Sequence, residues 1–126
     1  MIIWLIIAVI CTIIGTIGVR IMYNNRNNYT DSSTTIETIG ILMAVLGYGI
    51  GLALFLCIIA FTTTYNEFIA QYDAIENYVA NNPNLDKTII VNINSTLLEY
   101  QTKKQIYGVF SLYPDSILNL EYIKVP

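Results

Sequence analysis

Histidine is absent from this 126-residue chain, and charge is scarce: six basic and nine acidic residues make up 12% of it, for a net charge of −3. Without histidine there is no imidazole general base, no Ser-His-Asp triad and no histidine metal ligand. An acidic balance lacks the basic face that neutralises phosphates, so nucleic acid is not an expected partner. Two cysteines cannot staple a small secreted scaffold. What takes the place of charge is apolar: 55% of the residues are hydrophobic.

The apolar residues are concentrated in two runs. No charged side chain occurs from Met1 to Val19 or from Ile39 to Phe61. As helices these runs reach about 28 Å and slightly more, close to the ~30 Å hydrocarbon core of a bilayer. In lipid each helix satisfies its backbone groups internally; in water each would expose a large apolar surface. The chain therefore reads as residues 1–22 transmembrane helix 1, 23–38 polar loop, 39–64 transmembrane helix 2 and 65–126 extramembrane helical tail. The fold class is an all-α membrane protein, a two-helix transmembrane hairpin followed by a small helical-hairpin tail domain. The first run is expected to be a retained anchor and not a cleaved signal. No basic residue precedes Arg20, the run is too long for a signal core, and no small-residue cleavage pattern follows it.

Arg20 and Arg26 lie in the connecting segment, whereas Lys87 is the next basic residue after the second run. The positive-inside bias puts the loop in the cytoplasm and the tail outside; the inverted hairpin, with both ends cytoplasmic, is the alternative. Trp4, Phe61 and Tyr65 at one end of such a hairpin, and Tyr23 at the other, suit aromatic belts.

Small residues form stripes in both runs. Gly40, Ala44, Gly47 and Gly51 step by four, three and four, and Ala8, Cys11, Gly15 and Gly18 make a matching stripe. Small residues let backbones approach closely in lipid, where packing drives association, so these eight are the expected helix-packing residues. They serve either a tight hairpin or a homo-oligomer. The cluster Gly47-Tyr48-Gly49-Ile50-Gly51 is not a phosphate loop, because it lies inside an uncharged span instead of opening a helix after a strand. Cys11 and Cys57 would differ in depth by roughly 13 Å in an antiparallel hairpin, too far for a disulfide.

The tail carries the polar residues. Phe68, Tyr72, Ile75 and Val79 give one amphipathic helix, which either starts at a capping box of Thr64 and Glu67 or runs straight out of the membrane as a continuation of the second span. Asn81 to Asn84, interrupted by Pro83, ends it. A second helix follows with Ile90, Ile93, Leu97 and Tyr100 on one face, capped by Asp86 or Asn84; the β-branched run Thr88–Val91 makes a strand the competing reading. Gly108 suits a helix stop and Pro114 the opening of a last short helix. Tyr107, Phe110 and Tyr113 are the candidate interaction residues: they can close the tail core, dip into the headgroup region or hold a partner.

Other patterns fail on inspection. Asp73 and Glu76 share a helix face without a third ligand type. Asn82, Asn84 and Asp86 begin like a calcium loop, but Lys87 stands where glycine is needed and Ile93 where glutamate is. Asn28-Tyr29-Thr30 and Asn94-Ser95-Thr96 match glycosylation acceptors in a chain rich in asparagine. Lys103-Lys104 is too short for a polybasic lipid signal. No metal, cofactor or catalytic residue is expected.

An Asn-rich helix, a second helix ending in Gln and Lys, and then VFSLYPDSILNLEYIKVP form an ordering similar to that of uncharacterised small two-span membrane proteins of bacteriophages and low-GC bacteria. Phe110, Tyr113, Pro114, Leu120, Tyr122 and Ile123 carry the resemblance, which covers about the last third of the chain. It implies a small helical membrane protein of phage or bacterial type and brings no functional residue with it.

These readings favour a non-enzymatic small integral membrane protein with an interaction or assembly tail. Its expected partners are the lipid bilayer and a homo-oligomeric copy or another membrane or envelope protein. The alternative is a pore-forming, holin-like phage membrane protein: the glycine faces favour it, and the long, acidic-leaning tail opposes it. An enzyme using Ser111 or Ser116 as nucleophile ranks third, since no base is nearby in sequence.

Overall fold

The computed structural model describes residues 1–25, 33–82 and 86–125. All regular structure among them is helical: α1 (Ile2–Asn25), α2 (Ser33–Asn81), α3 (Lys87–Tyr107) and two short 3-10 turns, Gly108–Phe110 and Asp115–Asn119. Arg26, the Asn28 acceptor site and the Pro83–Asn84 turn, with its alternative cap, lie outside the described residues. The contacts divide the chain into two compact units. One is residues 2–58; the other joins Met1 to residues 59–126.

In the first unit the helices extend past the boundaries drawn from sequence. Tyr23 to Asn25 belong to α1, and Ser33 to Thr38 belong to α2. The Thr38 hydroxyl donates to the Thr34 carbonyl at 2.8 Å, so this polar start of α2 satisfies its side chains within the helix. Both α1 and α2 contain stretches long and apolar enough to cross a membrane.

The larger departure is at residue 64. α2 runs 49 residues without interruption, so the tail's first helix is the continuation of the second apolar helix and not a separate element. The expected capping box does not form. The Thr63 and Thr64 hydroxyls instead donate to the carbonyls of Ile59 and Ala60, four residues back, each at 3.1 Å. A threonine bonded this way sits inside a helix and leaves no reason for one to begin there. Asparagines finish α2: Asn77 donates to Asp73 O and Asn81 to Asn77 O at 2.8 Å, and Asn82 to Tyr78 O at 3.4 Å.

α3 is a helix of 21 residues, and its β-branched start is not a strand. Asp86 decides this: its carboxylate accepts from the Thr88 N–H at 2.9 Å, nucleating the first turn. Gly108 ends the helix with φ 51° and ψ −121°, its N–H donating to the Lys104 carbonyl. That backbone conformation is one a side chain resists. Pro114 stands just ahead of the last turn, Asp115–Asn119, which is 3-10 and not α-helical.

The tail's core lies between the end of α2, α3 and the segment after it. Phe68 and Tyr72 of α2, Ile90, Ile93 and Leu97 of α3, and Tyr113, Ile117 and Ile123 beyond it are buried together, and Ile75, Val79 and Tyr100 pack against them.

Candidate functional site

The first place where side chains converge is the seam between α1 and α2 within residues 2–58. Among the described residues there, the buried ones are Ala8, Gly15, Gly18, Gly40, Ala44, Gly47, Gly51 and Ile58, while Cys11 is half-buried. The helices run antiparallel, with Gly18 against Gly40 and Ala44, Gly15 against Gly47 and Tyr48, and Ala8 against Gly51. The approach is closest at Gly47, where a Cβ would stand 2.5 Å from Gly15 N and 2.6 Å from the Cys11 carbonyl oxygen. At Gly18 it would meet Ala44 N and Gly40 O, both at 2.6 Å. Since these neighbours are backbone, no side-chain rotation relieves the clash. Gly51 is looser, with 3.3 Å to the Ala8 carbonyl, and Gly49 faces open space.

Large apolar side chains of this unit point outward: Leu5, Ile6, Val9, Leu42, Val45 and Leu52 are all exposed. The polar groups beside the seam are satisfied locally. Thr12 donates to the Ala8 carbonyl at 2.6 Å, and the Thr16 and Tyr48 hydroxyls lie 3.1 Å apart across the helices. Beside Ala8 and Gly51 an apolar groove of about 520 Å³ opens, lined also by Val9, Thr12, Leu52 and Phe55. Cys11 and Cys57 are both free thiols. The arrangement holds two helices at backbone contact.

The second place is the segment after α3, where the three candidate interaction residues part company. Tyr113 is buried at 9% exposure, whereas Tyr107 and Phe110 are each 60% exposed. Tyr113 therefore belongs to the core and leaves the set of surface residues. Its ring stands edge-on to Phe61 at 4.7 Å and lies 4.6 Å from Tyr100, which in turn meets Phe68 at 4.9 Å. Phe61 and Tyr65 are drawn into this cluster, so they are not a free aromatic belt. Ser111 turns the chain inward: its Oγ accepts from the Tyr113 N–H at 3.1 Å. The Ser111 carbonyl accepts from the Met1 amine at 2.8 Å.

Two amides missed in the sequence reading fasten the last residues to α3. Asn94 donates to the Ile123 carbonyl and accepts from the Ile123 N–H, both at 2.9 Å, pairing with the backbone as a strand would. That contact consumes the amide of the second glycosylation acceptor. Gln101 donates to Ile117 O at 3.0 Å and Leu120 O at 2.9 Å. The Tyr72 hydroxyl donates to Glu121 O at 2.5 Å. Burial pushes the Tyr72 phenol above its usual range, helped by the carboxylates of Glu76, Glu121 and Asp73. The signal was available: Ile90, Asn94, Leu97, Gln101 and Lys104 step by four, three, four and three, so the amides and a lysine share the apolar face. Lys104 is buried up to its ammonium, which meets Asp115 at 2.7 Å and holds that carboxyl below its usual range. The two lysines therefore divide: Lys104 pairs with Asp115, and Lys103 with Glu99 at 2.6 Å.

Comparison with known proteins found no matching family, no matching curated protein and no matching solved structure.

Proposed function

We propose that the chain is a non-enzymatic integral membrane protein, a two-span hairpin whose extramembrane tail serves as an interaction or assembly module. The observation that carries this is the distribution of side-chain size in residues 2–58. Apart from Ile58, the buried residues described there are glycine and alanine, and most leucine, isoleucine and valine side chains are exposed. In water that arrangement forgoes the burial that drives folding; in lipid the outward side chains lose nothing, and close backbone packing supplies the association. Membranes carrying the protein should retain it after an alkaline carbonate wash. Release into the supernatant without detergent would overturn the assignment.

The tail supports the second half of the proposal. Backbone-binding amides fasten its last segment to α3, and Tyr107 and Phe110 face outward as surface for a partner. Its partner is a second copy of the chain or another membrane or envelope protein. The pore-forming alternative loses its main support, because the closest glycine contacts are made within one chain and leave less of that face for oligomerisation. Arg20 favours a cytoplasmic loop and an exported tail. A cysteine at Ser95, in a background without Cys11 and Cys57, should react with a membrane-impermeant thiol reagent in intact cells. Reaction only after lysis would reverse the orientation.

A further inference from the structure

The tail carries an apolar cluster at the C-terminal end of α3. Ile106 is 69% exposed, Val109 68%, and Tyr107 and Phe110 60% each. The stretch from Gln105 to Pro114 contains no charge, and the charges that bracket it, Lys104 and Asp115, neutralise each other at 2.7 Å.

The position of this cluster along the tail follows from contacts within the second unit. α3 returns antiparallel to the end of α2: Ile89, Asn92, Ile93 and Thr96 share a groove with Gln71 and Ile75, and further along Tyr100 meets Phe68 at 4.9 Å. Seven residues separate Tyr100 from Tyr107, and seven separate Phe68 from Phe61, about 10 Å along each helix. Tyr107 is thus level with Phe61, and the turn Gly108–Phe110 goes on toward the level of Ile59. Two further contacts fix that level: Tyr113 against Phe61 at 4.7 Å, and the Ser111 carbonyl on the Met1 amine at 2.8 Å. Ile59 to Phe61 are the last residues of the apolar run that begins at Ile39, and Met1 begins the other.

We propose that Ile106, Tyr107, Val109 and Phe110 form an interfacial foot, inserted at the boundary between headgroups and acyl chains of the bilayer that α1 and α2 cross. This rests on the membrane reading above. Apolar and aromatic side chains without charge, presented where a span leaves the hydrocarbon, match the interfacial zone in both chemistry and depth. The foot ties the free end of α3 to the membrane, so the tail is anchored by α2 and again by the turn after α3. Lipid is favoured over a protein occupant because the cluster continues the level at which the apolar surface of α2 ends, with Ile59 itself exposed there.

The test uses the full chain with Cys11→Ala and Cys57→Ala, reconstituted in phosphatidylcholine vesicles. Single cysteines at Val109, Ile106, Asn92 and Ile50 carry an environment-sensitive fluorophore. The quenchers are aqueous iodide and spin-labelled lipids with the label near the head or near the end of the acyl chain. Asn92 is exposed on the same tail and corrects for sidedness. The label at Val109 should be quenched by the shallow lipid label and be about threefold or more less sensitive to iodide than the label at Asn92, as for a side chain roughly 5–10 Å deep. Ile106 should behave alike, which guards against a local effect of one substitution. Iodide sensitivity equal to that at Asn92, without lipid quenching, overturns the foot. Protection from both quenchers also overturns it, in favour of a protein occupant. The label at Ile50 separates the two readings. If lipid quenches it and not Val109, only the foot fails; if lipid quenches neither, the membrane assignment fails and the foot with it.

Discussion

Among the described residues of 2–58 the buried ones are glycine, alanine and Ile58, whereas those of the tail include Phe68, Tyr72, Ile90, Leu97, Tyr113 and Ile117. The hairpin brings backbone to backbone, and its large side chains face out. The tail separates its helices with large side chains and turns most polar groups out, Lys104 and Ser111 being buried and Asn94 and Gln101 half-buried where they fasten its last segment. One chain thus contains two packing solutions, each suited to a different surrounding. Where apolar side chains gain from leaving water, they fill the core. Where they gain nothing, the core shrinks to the smallest residues and dispersion between close backbones holds it.

If this contrast is right, the two units should fail to opposite substitutions. The largest effect is expected in the tail. Leu97→Ala or Ile117→Ala empties a fully buried site and should cost about 2–5 kcal/mol, read as loss of protease resistance over α3 in detergent. The same change at Leu52, exposed in the hairpin, should leave helix pairing intact.

Next comes enlargement in the hairpin. Gly47→Ala places a methyl against the backbone of Gly15 and Cys11 and should cost about 1–3 kcal/mol. The readout is slower disulfide cross-linking between cysteines placed at Val9 and Leu52, which line one groove. Gly49→Ala, open on all sides, should pair as well as the parent or slightly better. Equal losses at Gly47 and Gly49 would mean that helix propensity, not the seam, governs pairing.

A third substitution separates backbone from packing in the tail. Gly108→Ala meets no atom within 4 Å but occupies φ 51°, so it should cost about 1–2 kcal/mol through conformation alone. Thermal unfolding of the tail reads this; no loss would show that the turn relaxes freely.

The smallest effect is the pH dependence, confined to the tail. Asp115, bonded to Lys104, and Asp86, bonded to the Thr88 N–H, are both held below the usual carboxylate value of 3.8. A depressed folded-state pKa stabilises above the ordinary value, and that stability is lost as pH falls through the lowered one. Burial raises the phenols of Tyr72 and Tyr113 above 10.0, so their contribution holds below that value and is lost on going above it. Tail stability should decline below the first of these values and above the second. Asp115→Asn should flatten part of the acid limb. A hairpin equally sensitive to pH would contradict the comparison, since its closest contacts are between backbone atoms.

Much of the outline was legible because it depends on local arithmetic. Two uncharged runs of bilayer length, small residues stepping by four, three and four, and the stripe Ile90, Ile93, Leu97 need only the helical repeat to be placed on a face. Whether a helix starts near Thr64 or runs through it stayed open in the sequence for a related reason. Threonine serves equally as an N-cap or as a back-bonded helical residue, and its sequence neighbours do not distinguish the two. The aromatic stretch after α3 was legible as a group and illegible residue by residue, since a turn imposes no repeat from which a facing can be counted.

The sequence by itself determined which segments are apolar, which helix faces carry small residues, and that Gly108 stops α3, while it left the start of α3 to Asp86 or Asn84. Those follow from composition and spacing over a few turns. Only the tertiary structure decided that Gly47 and Gly18 bear the closest contacts while Gly51 is loose and Gly49 idle, that Tyr113 turns in while Tyr107 and Phe110 turn out, and that Asn94 and Gln101 hold the chain's last residues. Each of these depends on which partner a residue meets from a distant part of the chain. Such meetings are set by the relative placement of whole helices, which no local repeat encodes.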